Sequence, residues 1–354
     1  FLFCGLTDEN CTFRIQQDAA MIPQWTGVYP ALLTPFTADD QLDLPLFEKN
    51  LQAQLEAGVQ GVIIGGSLGE ASTLQSEEKK ELVQAAKQLI DGRIPVILNI
   101  AESTTRSAIE QVTLASKWGA DGLMLLPPMR YKSDDRETIH YFRTVAQSTD
   151  LPIMIYNNPV DYKIDFRPEL FDSLVDLPHV QALKESSRDV TNLTRMLNRF
   201  GDRFKILCGV DTLALEELCL GAHGWVAGLV DAFPRETVQI YDWVQAGELE
   251  KARQLYRWFM PLLELDIHPK LVQYIKRQRI SFGRVAQCHC DVVTVTLRLH
   301  RCCHDIPPVS TQSTPDWSMP ALCAKSATPT GSRCWQPETK EHRYRNRNRN
   351  QDAG

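Results

Sequence analysis

The chain has 354 residues, of which 43% are hydrophobic and 23% charged, and its formal net charge is −6. This composition supports one large α/β domain or two smaller ones and excludes a chain that is disordered throughout. No basic cluster lies in the periodic part of the sequence, so we expect no nucleic-acid partner. No apolar stretch approaches the roughly 18 to 20 residues that span a bilayer, so we expect no membrane association. Cys208 and Cys219 have apolar neighbours, which favours reduced thiols and predicts a cytoplasmic protein.

The first 20 residues show no periodicity, and we interpret residues 1–20 as an extension outside the domain, which begins near Met21. From there, short apolar runs recur along the chain, each typical of a buried strand bounded by turn residues. The eight runs are Val28–Leu33, Gly61–Gly65, Pro95–Ile100, Gly122–Leu126, Pro152–Tyr156, Val180–Lys184, Lys205–Cys208 and Trp225–Ala227.

Segments with apolar residues at helical spacing separate these runs, and several end in Ala-Gly or Gly-Ala pairs that stop helices. The segments are Pro45–Ala57, Ser76–Ile90, Thr105–Trp118, Arg136–Gln147, Arg167–Leu174, Val190–Asn198 and Thr212–Leu220. Strict alternation, with strands apolar on both faces, requires a parallel sheet covered by helices. Eight such units in residues 21–233 predict a closed (β/α)₈ TIM barrel rather than an open doubly wound sheet, which usually has fewer strands.

Beyond the eighth run, three segments show the pattern of further helices: Pro234–Ala246, Glu248–Leu265 and Pro269–Lys276. We expect this C-terminal helical extension, residues 234–276, to pack outside the barrel. From residue 277 the periodicity stops, and residues 277–354 contain six cysteines, two proline-rich patches and an Arg-Asn repeat. The change in composition predicts an irregular tail that is unrelated to the preceding domain.

Lys184 ends the sixth apolar run, just before a polar stretch, and Tyr156 ends the fifth. The active site of a parallel barrel lies at the carboxyl ends of its strands, so adjacent strands would bring the amine and the phenol together at the mouth. Burial among apolar side chains lowers the pKa of a lysine, and the neutral amine can form a Schiff base with a carbonyl. The alternatives are a lysine that extends to solvent and a tyrosine that packs with its hydroxyl on a backbone carbonyl.

A glycine-rich loop follows the second run and reads Gly65-Gly66-Ser67-Leu68-Gly69-Glu70. Its glycines let the backbone approach a ligand, and consecutive N–H groups ahead of a helix can hold a carboxylate. The loop lacks the lysine of a P-loop, which argues against a nucleoside triphosphate. A purely structural tight turn is the alternative interpretation.

We expect no metal in the body of the chain, because its histidines are scattered and none pairs with a second ligand at helical or hairpin spacing. The body also contains no dinucleotide fingerprint and no GxSxG elbow, so neither a nicotinamide enzyme nor a serine hydrolase is supported. Within the tail, Cys288-His289-Cys290 and Cys302-Cys303-His304 leave a zinc site as an alternative.

Three motifs occur together in the chain: Gly66-Ser67-Leu68-Gly69-Glu70, Tyr156-Asn157-Asn158-Pro159 and Leu183-Lys184-Glu185-Ser186. In this order and at these separations, they resemble the dihydrodipicolinate synthase and N-acetylneuraminate lyase family, over about residues 25–276. The resemblance implies a lyase of the class I aldolase type. Lys184 would form a Schiff base with a 2-oxo acid such as pyruvate or a 2-keto-3-deoxy acid, and Tyr156 would act as the acid/base.

The resemblance also assigns residues around this pair. The backbone of Gly66, Ser67 and Leu68 would hold the substrate carboxylate, and the Ser67 hydroxyl would take part in proton relay. Gly209 and Val226 match positions that line the pocket in the family. Members need no metal or organic cofactor and are usually homodimers or homotetramers.

Three positions depart from the family pattern. Leu68 replaces a second hydroxyl, Met129 replaces a relay tyrosine of the synthases, and Asp161 replaces the arginine that binds a substrate carboxylate. Branches that dehydrate or deaminate 2-keto-3-deoxy sugar acids or hydroxyproline-derived pyrrolines also lack that arginine and form the alternative within the family. A non-catalytic barrel that binds a small acid is the alternative of another class.

The tail departs as well, because the family continues its C-terminal helices beyond the point that corresponds to Lys276. We interpret the residues after about 276 as the product of a shifted reading frame or altered splice. On the same interpretation, residues 1–20 are translated upstream sequence.

Overall fold

The computed structural model describes residues 21–128 and 132–281, with side chains described as far as residue 277. The predicted extension of residues 1–20, Met129 and the predicted tail beyond Ser281 therefore lie outside the described residues. Within the described ranges, no helix has the length and apolarity that crossing a membrane requires.

Eight short strands form one parallel sheet whose strand order is β1-β8-β7-β6-β5-β4-β3-β2. The Leu32 N–H donates to the Ile63 carbonyl at 2.9 Å and the Gln60 N–H donates to the Val28 carbonyl at 3.0 Å, which joins β1 to β2 and closes the barrel. The predicted (β/α)₈ TIM barrel is confirmed. Its strands are β1 Gly27–Pro30, β2 Val62–Ile64, β3 Val96–Ile100, β4 Gly122–Leu125, β5 Ile153–Asn157, β6 Val180–Glu185, β7 Lys205–Cys208 and β8 Gly224–Ala227.

Helices separate the strands, and the last three follow β8. They are α1 Leu44–Ala57, α2 Ser76–Ile90, α3 Thr105–Trp118, α4 Asp135–Ala146, α5 Pro159–Tyr162, α6 Pro168–Phe171, α7 Val190–Phe200, α8 Ala214–Cys219, α9 Pro234–Gln245, α10 Leu249–Leu263 and α11 Leu271–Ser281. Each of the predicted helical segments overlaps one of these helices. The one-turn helix α5 was not predicted, and α11 continues five residues past Lys276.

Side-chain hydrogen bonds explain where α1 and α3 begin, and glycines explain where they end. The Asp43 carboxylate accepts the Leu46 N–H at 3.0 Å at the start of α1, and Thr104 accepts the Ser107 N–H at 3.1 Å at the start of α3. Both helices end at a glycine in the left-handed conformation, Gly58 and Gly119, where a side chain would be strained.

The core surrounds the barrel on both sides of the sheet, because nearly every strand residue is buried. Inward side chains fill the barrel and outward ones pack against the helices, as the apolar runs predicted. Cys208 is buried in this core, but Cys219 is exposed at the end of α8. The expectation that both thiols lie in apolar surroundings was therefore wrong for Cys219, because it faces solvent from the outer helix layer.

The carboxyl of Glu217 is an ionisable group inside this core. It is 1% exposed on α8, its Oε2 atom has no hydrogen-bond partner within residues 21–128 and 132–281, and burial raises its pKa to about 8. An unfolded glutamate has a pKa of about 4.3, so between these values the folded chain keeps a proton that the unfolded chain releases. Folding stability is therefore lost as the pH rises through this window.

We predict that Glu217→Gln flattens this pH dependence. Glutamine is neutral at every pH. The free energy of unfolding of the variant therefore does not fall by the up to about 1.4 kcal/mol per pH unit that one released proton causes. Urea unfolding of both proteins between pH 5 and pH 9 measures the difference, and the variant gains relative stability as the pH rises. Glu81→Gln on the exposed face of α2 is the control. Equal slopes for the wild type and Glu217→Gln would contradict the prediction.

Candidate active site

Lys184 and Tyr156 lie side by side at the mouth of the barrel. They are register partners in the ladder between β5 and β6, so the two strands are neighbours as predicted. The Lys184 Nζ atom lies 4.1 Å from the centroid of the Tyr156 ring. Their exposed fractions are only 7% and 6%. The amine and the phenol are thus held together in a site from which most water is excluded.

Burial controls the protonation of this pair. It lowers the pKa of the Lys184 amine from its usual value, and this effect outweighs Tyr162, Asp266 and Asp211, which raise it. Burial also raises the pKa of the Tyr156 phenol to about 12, although Asn158 donates a hydrogen bond to its oxygen at 3.2 Å. The environment therefore favours an uncharged amine beside a protonated phenol, which is the state that a nucleophile and a proton donor require.

Glu185 fixes the end of β6 from the opposite face of the strand. Adjacent residues of a strand point to opposite faces, so Glu185 points away from the barrel interior when Lys184 points into it. Its carboxylate accepts the Asn192 side-chain amide at 2.6 Å, the Asn157 amide at 3.3 Å and the Ser187 N–H at 2.6 Å. These hydrogen bonds tie β6 to β5 and to α7, and so hold Lys184 in position.

The glycine-rich loop lines the cavity opposite Lys184 with Gly66, Ser67 and Leu68. No residue in the described ranges accepts a hydrogen bond from the backbone N–H of Ser67 or Leu68. The loop is fastened at both ends, because Asn99 donates to the Gly65 carbonyl at 2.8 Å and Thr34 donates to the Gly69 carbonyl at 2.8 Å. Fixed N–H groups without internal acceptors are what a carboxylate-binding loop requires, and the binding role of this loop remains a prediction.

Gly209 and Val226 also line this cavity, at the ends of β7 and β8. A Cβ atom added at Gly209 would lie 2.7 Å from Lys184 Cγ, 2.8 Å from Lys184 Cε and 2.1 Å from Ser186 Oγ. The absence of a side chain at Gly209 is therefore what gives Lys184 its space. Val226 is 2% exposed and contributes an apolar wall.

All the residues that the sequence predicted for the site border one cavity: Lys184, Tyr156, Ser67, Gly66, Leu68, Gly209 and Val226. Its empty volume is about 640 Å³, part of it open to solvent. This is the size of a pocket for a small molecule. The roles assigned to these residues remain predictions.

Tyr162 is a site residue that the sequence analysis missed. Its hydroxyl is hydrogen-bonded to the Ser67 hydroxyl at 2.7 Å, and its ring meets the Tyr156 ring edge to face with centroids 5.5 Å apart. The one-turn helix α5 carries Tyr162 back toward the loop. Asn158 accepts the Asp161 N–H at 3.1 Å and Pro159 follows it, which is a helix-start signal that could have revealed this turn.

The C-terminal extension contributes directly to the cavity. Residues 234–276 were predicted to pack outside the barrel, and none of them was assigned to the site, but Asp266, Ile267 and Leu271 line the cavity. The Asp211 N–H donates to Asp266 Oδ2 at 3.3 Å, which holds this segment near the end of β7. Lys276 on α11 also pairs with Glu70 of the glycine-rich loop.

Two of the positions that depart from the family pattern can be located. Leu68 is buried and its side chain packs close to Gly228, so an apolar group occupies that part of the wall. Asp161 lies on the rim and accepts a hydrogen bond from the Asn158 amide at 2.7 Å. Met129 lies outside the described residues.

A buried lysine beside a tyrosine, at the mouth of a (β/α)₈ barrel and facing a glycine-rich loop, defines a Schiff-base-forming lyase of the class I aldolase type. Comparison with known proteins agrees. The family model described as the dihydrodipicolinate synthetase family matches residues 24–295. The chain belongs to this family.

Individual relatives support the assignment. The chain is 34% identical to 4-hydroxy-tetrahydrodipicolinate synthase from Exiguobacterium sibiricum over 246 residues, which are 69% of this chain and 84% of the relative. It is 33% identical to the enzyme of the same name from Methanothrix thermoacetophila, with coverage of 67% and 80%. Among solved structures, YagE, a prophage protein from E. coli K12 of the dihydrodipicolinic acid synthase family in complex with pyruvate, superposes with a TM-score of 0.71 and 30% identity, covering 75% of this chain and 91% of YagE.

We predict that Gly209→Ala reduces turnover by about 100-fold, since a displacement of about 1 Å at a reacting group has an effect of that size. The added methyl group would push the Lys184 side chain from its position. The rate of Schiff-base formation with pyruvate, followed by borohydride trapping, measures this effect. Gly92→Ala is the control, because Gly92 has a positive φ but open space around its Cα. A Gly209→Ala variant as fast as the control would contradict the prediction.

Proposed function

We propose that the protein cleaves or forms a bond beside the carbonyl of a 2-oxo acid, pyruvate or a 2-keto-3-deoxy acid, through a Schiff base on Lys184. The observation that carries this proposal is the buried Lys184 amine, 4.1 Å from the Tyr156 ring centroid and inside the same cavity as the glycine-rich loop. The homodimer or homotetramer and the cytoplasmic location expected from the sequence remain predictions.

The substrate is oriented by its carboxylate. The backbone N–H groups of Ser67 and Leu68 hold the carboxylate, which places the adjacent C2 carbonyl toward Lys184. The side chain of Leu68 adds no hydrogen bond, so the carboxylate depends on the backbone and on the neighbouring Ser67 hydroxyl. This arrangement is supported by the fastened loop and its free N–H groups.

The neutral Lys184 amine attacks C2 and forms a carbinolamine. Tyr156 donates the proton with which the C2 hydroxyl leaves as water, and the nitrogen keeps a double bond to C2. In the cleavage direction the resulting iminium accepts the electron pair of the C3–C4 bond, so that an enamine forms on Lys184. The C4 fragment leaves as an aldehyde as its hydroxyl proton passes to the Tyr156 oxygen, which restores the phenol. Tyr156 suits this role because its ring centroid lies 4.1 Å from Lys184 Nζ and burial keeps its hydroxyl protonated.

Ser67 and Tyr162 form the hydroxyl pair that moves protons at this site. Burial raises the pKa of Tyr162, and the hydrogen bond with Ser67 lowers it again. The Ser67 hydroxyl lines the cavity and Tyr162 lies behind it, so Tyr162 acts through Ser67. Both hydroxyl groups come from the same chain.

Borohydride trapping tests the proposed function. Wild-type protein incubated with pyruvate and borohydride should gain a stable adduct on Lys184, identified by peptide mass spectrometry, because the reductant fixes the iminium. Lys184→Arg should give no adduct, whereas Lys163→Arg, which changes an exposed lysine near the rim, should react normally. If neither pyruvate nor any 2-keto-3-deoxy acid labels Lys184, the proposal fails.

We predict that Tyr162→Phe slows exchange of the pyruvate C3 protons with deuterated water by about 100-fold, the lower end of the range for a lost acid/base group. Pyruvate should still be trapped on Lys184, because the amine is untouched. Proton NMR follows the exchange, and Tyr141→Phe is a matched control whose buried hydroxyl has no hydrogen-bond partner. Loss of trapping and exchange together would indicate a structural role only.

A further inference from the structure

Arg188 extends the site beyond the residues described so far. It lies four residues after Lys184, in the turn between β6 and α7, and it borders the same cavity. It is exposed at the rim. Among the described residues that line the cavity, Lys184 and Arg188 are the basic ones. Because burial favours the uncharged Lys184 amine and the Schiff base consumes it, Arg188 is the cation that a ligand meets.

The backbone of Arg188 is in an unfavourable conformation. Its φ is 65°, in the left-handed region that glycine adopts without strain and that side chains adopt at a cost. Strain at a residue that borders a ligand cavity is a reason to look for a function of its side chain. The neighbouring Asp189 does not supply a partner, because its carboxylate accepts hydrogen bonds from Thr191 and Arg195 instead.

The guanidinium of Arg188 is available for a ligand. No hydrogen bond or ion pair in the described part of the chain engages it. Three further acidic residues, Asp161, Asp211 and Asp266, also lie near the cavity, and none of them forms an ion pair with Arg188 in the described part of the chain. Asp161 accepts from Asn158, and Asp211 accepts from the Trp225 indole at 2.9 Å and the Leu229 N–H at 2.7 Å.

Asp266 is the third acidic residue, and Arg188 acts on it from across the cavity. Burial and Asp211 raise the pKa of Asp266 to about 8, and the charges of Lys184 and Arg188 only partly oppose this. At neutral pH its carboxyl is therefore largely protonated and does not neutralise Arg188. Asp266 therefore adds little repulsion to an anionic ligand group at the guanidinium, and Asp161 on the rim is the other acidic residue that lines the cavity.

We propose that Arg188 is a specificity-determining residue that binds a second carboxylate, at the far end of the 2-oxo acid substrate. A planar guanidinium matches a carboxylate in shape and donates two parallel hydrogen bonds to it. The substrate then spans the cavity, with its 2-oxo carboxylate on the glycine-rich loop and its distal carboxylate on Arg188. This inference rests on the proposed Schiff-base function and adds a class of substrate to it.

Matched pairs of 2-oxo acids provide the test. 2-Oxopentanedioate and 2-oxopentanoate have the same chain length and differ in the distal carboxylate, as do 2-oxohexanedioate and 2-oxohexanoate. The concentration dependence of borohydride trapping on Lys184 gives an apparent affinity for each. Wild-type protein should prefer the dicarboxylate of at least one pair by about 10-fold or more, the effect expected of a hydrogen bond to a charged group.

Arg188→Gly should abolish this preference and leave trapping of pyruvate unchanged, and Arg188→Lys should retain part of it. Arg188→Gly should also raise the thermal midpoint, because glycine adopts the left-handed backbone without strain. Arg195→Gln, which changes an exposed arginine of α7, is the control for charge. Because the thermal midpoint of Arg188→Gly should rise, a folding defect cannot explain its loss of preference for the dicarboxylate.

The outcomes separate the two proposals. Adducts on Lys184 with no preference for the dicarboxylates, or with the same preference in Arg188→Gly, would overturn the role of Arg188 alone. Absence of any adduct in the wild type would overturn the Schiff-base function, and the role of Arg188 with it.

Discussion

The burial of one amine governs the architecture of this site. A charged lysine inside a barrel is costly, so the surroundings must either neutralise it or supply compensating charge. Here the ring of Tyr156 lies against the amine, and the charges of Asp266 and Asp211 only partly oppose the effect of burial. Glu185 on the opposite face of the same strand accepts three hydrogen bonds and keeps the strand in place. One short segment therefore serves both to anchor the sheet and to present the nucleophile.

The two ends of the cavity are formed by different chemical groups, backbone N–H groups at the inner end and side chains at the outer end. The inner end uses backbone N–H groups on a loop that Asn99 and Thr34 fasten, so its geometry changes little with side-chain identity. The outer end uses side chains from separate segments, namely Asp161 after β5, Arg188 after β6 and Asp266 after α10. A backbone-built inner end suits a reaction step that all family members share. An outer end built from variable side chains suits discrimination among substrates.

The sequence predicted the barrel well because its signals are local and repeated. The apolar runs mark each strand, and Gly58 and Gly119 mark helix ends. The pairing of Tyr156 with Lys184 was also predictable, since consecutive strands of such a barrel are neighbours.

Contacts between segments that are distant in the chain could not be predicted from the sequence. Asp266 reaches the cavity only because the chain turns back across the mouth, and no periodicity reports such a crossing. Tyr162 meets Ser67 across 95 residues, through a helix too short to show a hydrophobic pattern. The left-handed backbone of Arg188 could not be predicted either, because arginine is not one of the residue types that often adopt this conformation.

The ion pair between Lys276 and Glu70 gives the last described helix a share in the binding site. Leu271, on the same helix, borders the cavity, so α11 contacts both the glycine-rich loop and the cavity that contains Lys184. Opening of α11 would remove one wall and release the loop in a single event. The helix and the glycine-rich loop therefore form one cooperative unit, and any ligand that orders the loop also protects a segment more than 200 residues away in the chain.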